Sequence, residues 1–220
     1  QIYVETNNVA EYIAYTKTLN KMNIQSTTQE DSLIFVTAEL QYMMQNYEQA
    51  AAGLATYLTR FCPGGRYCVN AMHYAANSYY MLEQYEQAKE QYMELTKIDG
   101  NPYMEKACMR VAEISYDQKD YPTALTYFER MYAAASDQNM AQTALLGMMR
   151  CSHYINNNDA SIKHATSMLA LEDLSNAIYN EALYYRASAY LNNKQYSEAI
   201  ADYTLLAKEV RSAWGAEAKY

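Results

Sequence analysis

The sequence predicts an all-α fold, a right-handed α–α superhelix built as a solenoid of antiparallel helix pairs. Three observations carry this. A Tyr-x-x-Ala signal returns at a near-constant interval, each copy lies between two runs of helical periodicity, and 220 residues contain only 3 Pro and 6 Gly. So few turn residues exclude a β-sandwich with its many tight turns. Ala, Leu, Met, Glu, Gln and Lys are abundant, and all favour helix.

The signal reads Tyr47-Glu48-Gln49-Ala50, Tyr85-Glu86-Gln87-Ala88, Tyr121-Pro122-Thr123-Ala124 and Tyr196-Ser197-Glu198-Ala199. The gaps are 38, 36 and 75 residues, and the last is two periods long. A degenerate copy fits between, Asn158-Asp159-Ala160-Ser161, with Asn for Tyr and Ser for Ala. A polar pair precedes each copy: Gln45-Asn46, Glu83-Gln84, Lys119-Asp120, Asn156-Asn157 and Lys194-Gln195. Two helices joined by a short polar turn is the natural unit. A second small residue stands twelve positions before the motif alanine, at Ala38, Ala76, Ala112 and Ala187. Paired small residues let the two helices of a repeat approach closely, where a large side chain would cost about 1–3 kcal/mol.

The periodicity predicts helices over 8–20, 30–44, 47–60, 67–82, 85–98, 102–117, 121–135, 138–155, 159–170, 176–192, 196–210 and 213–220. Asn101-Pro102, Asp120 and Ser175 are capping signals. The repeats fall at about 31–66, 67–101, 102–137, 138–174 and 175–211, with a further one starting at 212–220. Residues 1–30 read as an N-terminal helix ending a preceding unit. The chain begins at Gln1, and Trp214 to Tyr220 resemble the opening of another repeat, so the expectation is a natural protein that continues at both ends.

The net charge of −8 argues against nucleic acid and against an anionic membrane surface. No run approaches the roughly 18–20 apolar residues of a membrane span. Tyrosine is over-used, 25 against 3 Phe and 1 Trp. An apolar ring with a polar tip suits thin layers with one side packed and the other near water. Of the 4 cysteines, Cys108 and Cys151 sit at small apolar helix positions and read as core. Cys62 and Cys68 flank Pro63-Gly64-Gly65, and geometry decides whether they bridge.

Five copies in phase resemble the tetratricopeptide repeat family over about residues 31 to 220. Repeats of 36–38 residues, with Tyr57-Leu58-Thr59-Arg60-Phe61-Cys62-Pro63 before a first helix, look like the bacterial envelope subgroup of the TolA-binding cell-division coordinator and the outer-membrane assembly lipoprotein. Cys62 interrupts that subgroup's pattern. The resemblance implies a periplasmic or envelope-associated, non-catalytic scaffold that binds protein or peptide segments in a groove lined by the first helices. Carried over, the groove positions are Phe35, Glu39 and Tyr42; Asn70, His73, Asn77 and Tyr80; Lys106, Met109, Glu113 and Tyr116; Arg150 and His153; and Glu181, Tyr184 and Ser188. His73 is expected there as a partly exposed residue. The tyrosines have an alternative reading as packing within the superhelix.

The residues suggest no cofactor and no metal. No His pair has the i, i+4 spacing of a zinc helix, and Cys62, Cys68 and His73 have no standard zinc spacing. Cys151-Ser152-His153 cannot form a nucleophile–base dyad, because helix neighbours two apart point away from each other. No phosphate loop or nucleophile elbow occurs, so no enzyme is expected. A carbohydrate-binding outer-membrane accessory protein, and a structural spacer that self-associates through exposed terminal repeats, are the competing functions.

Overall fold

The computed structural model describes residues 27–208, and among them are ten α-helices and no strand. The chain divides into two compact units, Gln1–Tyr103 and Met104–Tyr220. The first holds α1 (Thr27–Met43), α2 (Tyr47–Phe61), α3 (Cys68–Met81) and α4 (Tyr85–Leu95). The second holds α5 (Met104–Asp117), α6 (Tyr121–Ala134), α7 (Gln138–Tyr154), α8 (Asn158–Leu169), α9 (Asn176–Asn192) and α10 (Tyr196–Leu206). Within each unit a helix packs chiefly on its neighbours in sequence. The predicted helices at 8–20 and 213–220 lie outside the described residues.

One boundary differs for a clear reason. Asn101 does not cap a helix starting at Pro102. Its Oδ1 accepts from Tyr103 N–H at 2.9 Å, and its amide donates to the Leu95 and Ile98 carbonyls at 3.0 and 2.7 Å. That side chain closes the end of α4, and α5 starts only at Met104.

The polar pairs have a specific geometry. The first member of each is left-handed: Gln45 (φ 62°), Glu83 (59°), Lys119 (62°), Asn156 (55°) and Lys194 (63°). Its N–H reaches back three residues and the next N–H reaches back five, as in Asn46 to Gln41 and Asp120 to Ser115. This Schellman pattern satisfies the last carbonyls of one helix and turns the chain into the next. Asp120 and Asn157 then accept from the N–H groups of Thr123 and Ala160, starting the second helix.

The core follows the repeat. The motif alanines Ala50, Ala88, Ala124 and Ala199 are buried, as are Ala38, Ala76, Ala112 and Ala187. Seven residues after the motif position stand Tyr57, Leu95, Met131, Met168 and Leu206, each fully buried. The degenerate repeat exchanges large for small. Met149 replaces the small residue twelve before, and Ala165 replaces the bulky residue that is Leu54, Tyr92, Phe128 or Tyr203 elsewhere. Both lie in one core cluster. Ser161, at the motif alanine position, buries a hydroxyl with no hydrogen-bond partner. Ser161→Ala therefore raises stability by about 1 kcal/mol, read from urea unfolding.

Cys62 and Cys68 form a disulfide, with Cα atoms 5.6 Å apart, while Cys108 and Cys151 are free and buried. The bridge closes the turn from α2 to α3. Inside it Tyr67 stacks on Phe35 at 4.4 Å, Tyr67 N–H donates to the Tyr57 phenol at 2.9 Å, and Arg66 N–H donates to Asp31 at 3.2 Å. Replacing both cysteines by Ser costs about 2 kcal/mol by the chain-entropy relation for so short a loop. Thermal unfolding with and without reductant checks it: reductant lowers the midpoint of the wild type and leaves the double variant unmoved.

Candidate functional site

The residues expected in a groove sit on α1, α3, α5, α7 and α9, the first helix of each pair. Spacing of three and four puts them on one stripe of each helix. The structure divides them into buried supports and residues that reach the surface.

In unit 1 the supports are Phe35, His73 and Asn77. Phe35 is 2% exposed, stacked under Tyr67 and edge-on to Tyr57, and so belongs to the core instead of the groove. His73 was expected to be partly exposed; it is buried, stacked face to face on Tyr103 at 3.8 Å. Asn77 is buried between His73 and α4, donating to His73 Nε2 at 2.9 Å and accepting from the Tyr92 phenol at 2.7 Å. Glu39, Tyr42, Asn70 and Tyr80 are half-buried. Burial pushes Glu39 above the usual carboxylate range, against a hydrogen bond from Tyr74 that pulls the other way. Burial, then the Glu39 charge, pushes the Tyr74 phenol up to about 12.

Unit 2 holds a connected polar chain across three first helices. Arg150 Nε and Nη2 form a fork on Glu181 at 2.7 and 2.8 Å. Tyr185 hydrogen-bonds to Glu181 and to Tyr154, and Tyr154 hydrogen-bonds to Tyr116. Burial raises the Tyr116 and Tyr185 phenols, and Tyr154 adds to both shifts. Hydrogen bonding to Glu181 holds the Arg150 guanidinium firmly charged. His153 stacks on Tyr185 at 4.2 Å, and Tyr154 stacks on Tyr121 at 4.6 Å. Arg150 and Glu181, predicted as separate groove positions, are thus each other's partners, and Glu181 is buried. Tyr154, at 44%, is the most open aromatic of the set, and Tyr184, half-buried, shares the neighbours His153 and Tyr185 with it. Lys106 is exposed, Met109, Tyr116 and Ser188 are half-buried, and Glu113 is paired with Arg110 at 2.7 Å.

Sequence reasoning missed Tyr74, Tyr103, Tyr154 and Tyr185. Three of them adjoin named residues, and the surplus of tyrosine was the available signal. Two of these helices also carry little charge. α3 has no Asp, Glu, Lys or Arg, and α7 has Arg150 alone.

Ser152 and His164 approach to 2.9 Å, and both are buried. The Ser152 hydroxyl proton goes to the Met148 carbonyl at 2.7 Å, so His164 Nδ1–H donates to Ser152 and does not act as its base. Burial lowers the pKa of His164 and of His153 below 6.5. A depressed histidine contributes stability that is full above about pH 6.5 and is lost as pH falls from there. Stability therefore declines from pH 6.5 toward 5, and His164→Asn flattens the slope, as urea midpoints measured across that range will read. Glu39, raised above 4.5, works in the opposite sense, contributing below that pH and losing its contribution as pH rises.

Among the described residues no cluster of three or more His, Cys, Asp or Glu is placed to hold a metal, and no helix is long and apolar enough to cross a membrane.

Residues 70–101 and 181–211 match the family model of the tetratricopeptide repeat, so the chain carries repeats of that kind. No curated protein matches the chain. The crystal structure of YrrB, described as a TPR protein with an unusual peptide-binding site, is similar with a TM-score of 0.61 at 14% identity, over 93% of this chain and 97% of that one. A tetratricopeptide repeat protein from Parabacteroides merdae gives 0.55 at 16% identity, over 94% and 75%. MamA from Desulfovibrio magneticus RS-1 gives 0.53 at 14% identity, over 86% and 98%. At these identities the likeness shows the fold alone: a solenoid of helical repeats.

Proposed function

We propose that this chain is a non-catalytic scaffold that binds protein or peptide segments on the faces of its first helices. The observation that carries this reading is the polar chain Tyr116–Tyr154–Tyr185–Glu181–Arg150. It fixes the rotamers of several aromatic side chains before any partner arrives, and Tyr154 remains open at its surface. Rigid aromatic anchors are the usual centres of binding energy, and fixing them beforehand reduces the entropy lost on association. The peptide-binding site in the description of YrrB supports the same use of the fold.

In unit 2, pairing of Arg110 with Glu113 and of Arg150 with Glu181 leaves the first helices nearly neutral. A partner held there is recognised by shape and hydrogen bonds, and its affinity changes less than about two-fold between low and high salt. The Cys62–Cys68 disulfide supports an oxidising compartment, in line with residence in the bacterial cell envelope. Self-association through the terminal repeats is a separate proposal, tested by sedimentation across concentration.

Selection from a random peptide library on the immobilised chain tests the binding reading. Selected peptides should lose roughly ten-fold or more in affinity to a Tyr154→Ala/Tyr184→Ala variant. Peptides that bind the variant equally well, or a library that yields none, would overturn it.

A further inference from the structure

Unit 1 contains an open cleft of about 360 Å³ between α2 and α4. Ala55 and Leu58 line it from α2, Gln91 and Glu94 from α4, and Met72 and Ala75 from α3. This size lies at the lower end of ligand sites and suits a side chain better than a cofactor.

The repeat provides an internal comparison. Ala55 stands five residues after a motif position, Ala75 thirteen before one, and Gln91 three after one. The same places on α8, α9 and α10 are Thr166, Arg186 and Asp202. There Arg186 spans the gap. Its Nη1 donates to Thr166 Oγ1 at 3.3 Å, and its Nε and Nη2 form a fork on Asp202 at 2.7 and 2.8 Å. On α6, α7 and α8 the places are Glu129, Met148 and His164, and Met148 is buried. Unit 2 thus sets a long side chain of its own at the position where unit 1 has the methyl group of Ala75.

We infer that the unit 1 cleft receives an arginine side chain of a partner protein, seated as Arg186 is seated within its own chain. The aliphatic stem lies on Leu58 and Met72, over the buried Ala75. The guanidinium reaches the Gln91 amide oxygen and the Glu94 carboxylate. Glu94 is 48% exposed and shares its charge with Lys97 one turn on, an exposed pairing that a partner can displace at little cost. α4 carries Glu86, Glu90 and Glu94 against Lys89 alone, a balance that attracts a cation. The planar fork of arginine can engage an amide and a carboxylate together, which the point charge of lysine does less well.

The test uses acetyl-arginine amide as the probe and methyl NMR of the full chain as the readout. Leu58, Met72 and Ala75 methyl signals should shift and saturate with a millimolar dissociation constant. Acetyl-citrulline amide, uncharged and nearly isosteric, should bind at least about five-fold more weakly, a difference near 1 kcal/mol. Glu94→Gln should weaken the arginine probe by a similar factor, and Ala55→Met, which narrows the cleft from α2, should abolish saturation. Methyl signals of Ile34 and Val36 on α1, packed in the unit 1 core and outside the cleft lining, that stay in place in both variants report an intact unit 1 fold. Equal binding of arginine and citrulline probes, saturable shifts confined to unit 2, or indifference to both substitutions would each overturn the assignment. The cleft and the faces of the first helices are read separately, so failure here leaves the peptide-selection result standing.

Discussion

Arg186→Met lowers the unfolding free energy by about 3–5 kcal/mol, the cost of leaving a buried carboxylate without its partner. Asp202 is only 4% exposed, and both its oxygens are held by the Arg186 fork. Methionine keeps most of the apolar stem, so packing changes little and the effect isolates the charge. Removing both charges is a different experiment. Arg186→Met/Asp202→Leu should recover most of the loss, because an apolar pair of similar volume is often as stable as a buried ion pair. Urea unfolding of the two variants beside wild type decides it. A single variant that loses less than about 1 kcal/mol would mean that Asp202 finds water once released.

Gly147→Val costs about 3 kcal/mol. Glycine inside a helix is ordinarily a weak point, and a larger residue would gain up to about 1 kcal/mol in propensity. Here a Cβ on Gly147 would lie 2.5 Å from the ring of Phe128. That ring is almost wholly buried on α6 and has little room to retreat, so overpacking outweighs propensity. Phe128→Leu, combined with Gly147→Val, should return a large part of the loss, since it removes the colliding ring. Equal instability of the single and double variants would place the strain elsewhere.

Much of the architecture was legible because the repeat writes it five times. Tyr-x-x-Ala and the small residue twelve earlier mark the same three-dimensional places in four copies, and the polar pair between helices marks its place in all five. The left-handed backbone of Gln45, Glu83, Lys119, Asn156 and Lys194 was not legible, because none of these is glycine. The site was legible only as a stripe. Phe35, Glu39 and Tyr42 share one helix face by spacing, yet Tyr67, from a turn pinned by the disulfide, covers Phe35 and leaves the others at the surface. Arg150 and Glu181 were both identified, but their pairing joins residues 31 apart, which periodicity along one helix does not encode. The repeat signal does not mark Arg186, because it follows small and aromatic residues and is silent on a lone charge.

The Schellman turns also bear on how the chain reaches its structure. Each reversal is closed by hydrogen bonds between residues three to five apart, and the longest hydrogen bonds between side chains named here span about one repeat. Low contact order of this kind goes with folding in microseconds to milliseconds, since little loop entropy is lost before contacts form. It also makes unfolding divisible. A helix pair leans mainly on the pairs beside it, so one pair can open while the next stays closed. Hydrogen exchange should then resolve the chain into blocks about one repeat long, with protection changing at Gln45, Glu83, Lys119, Asn156 and Lys194.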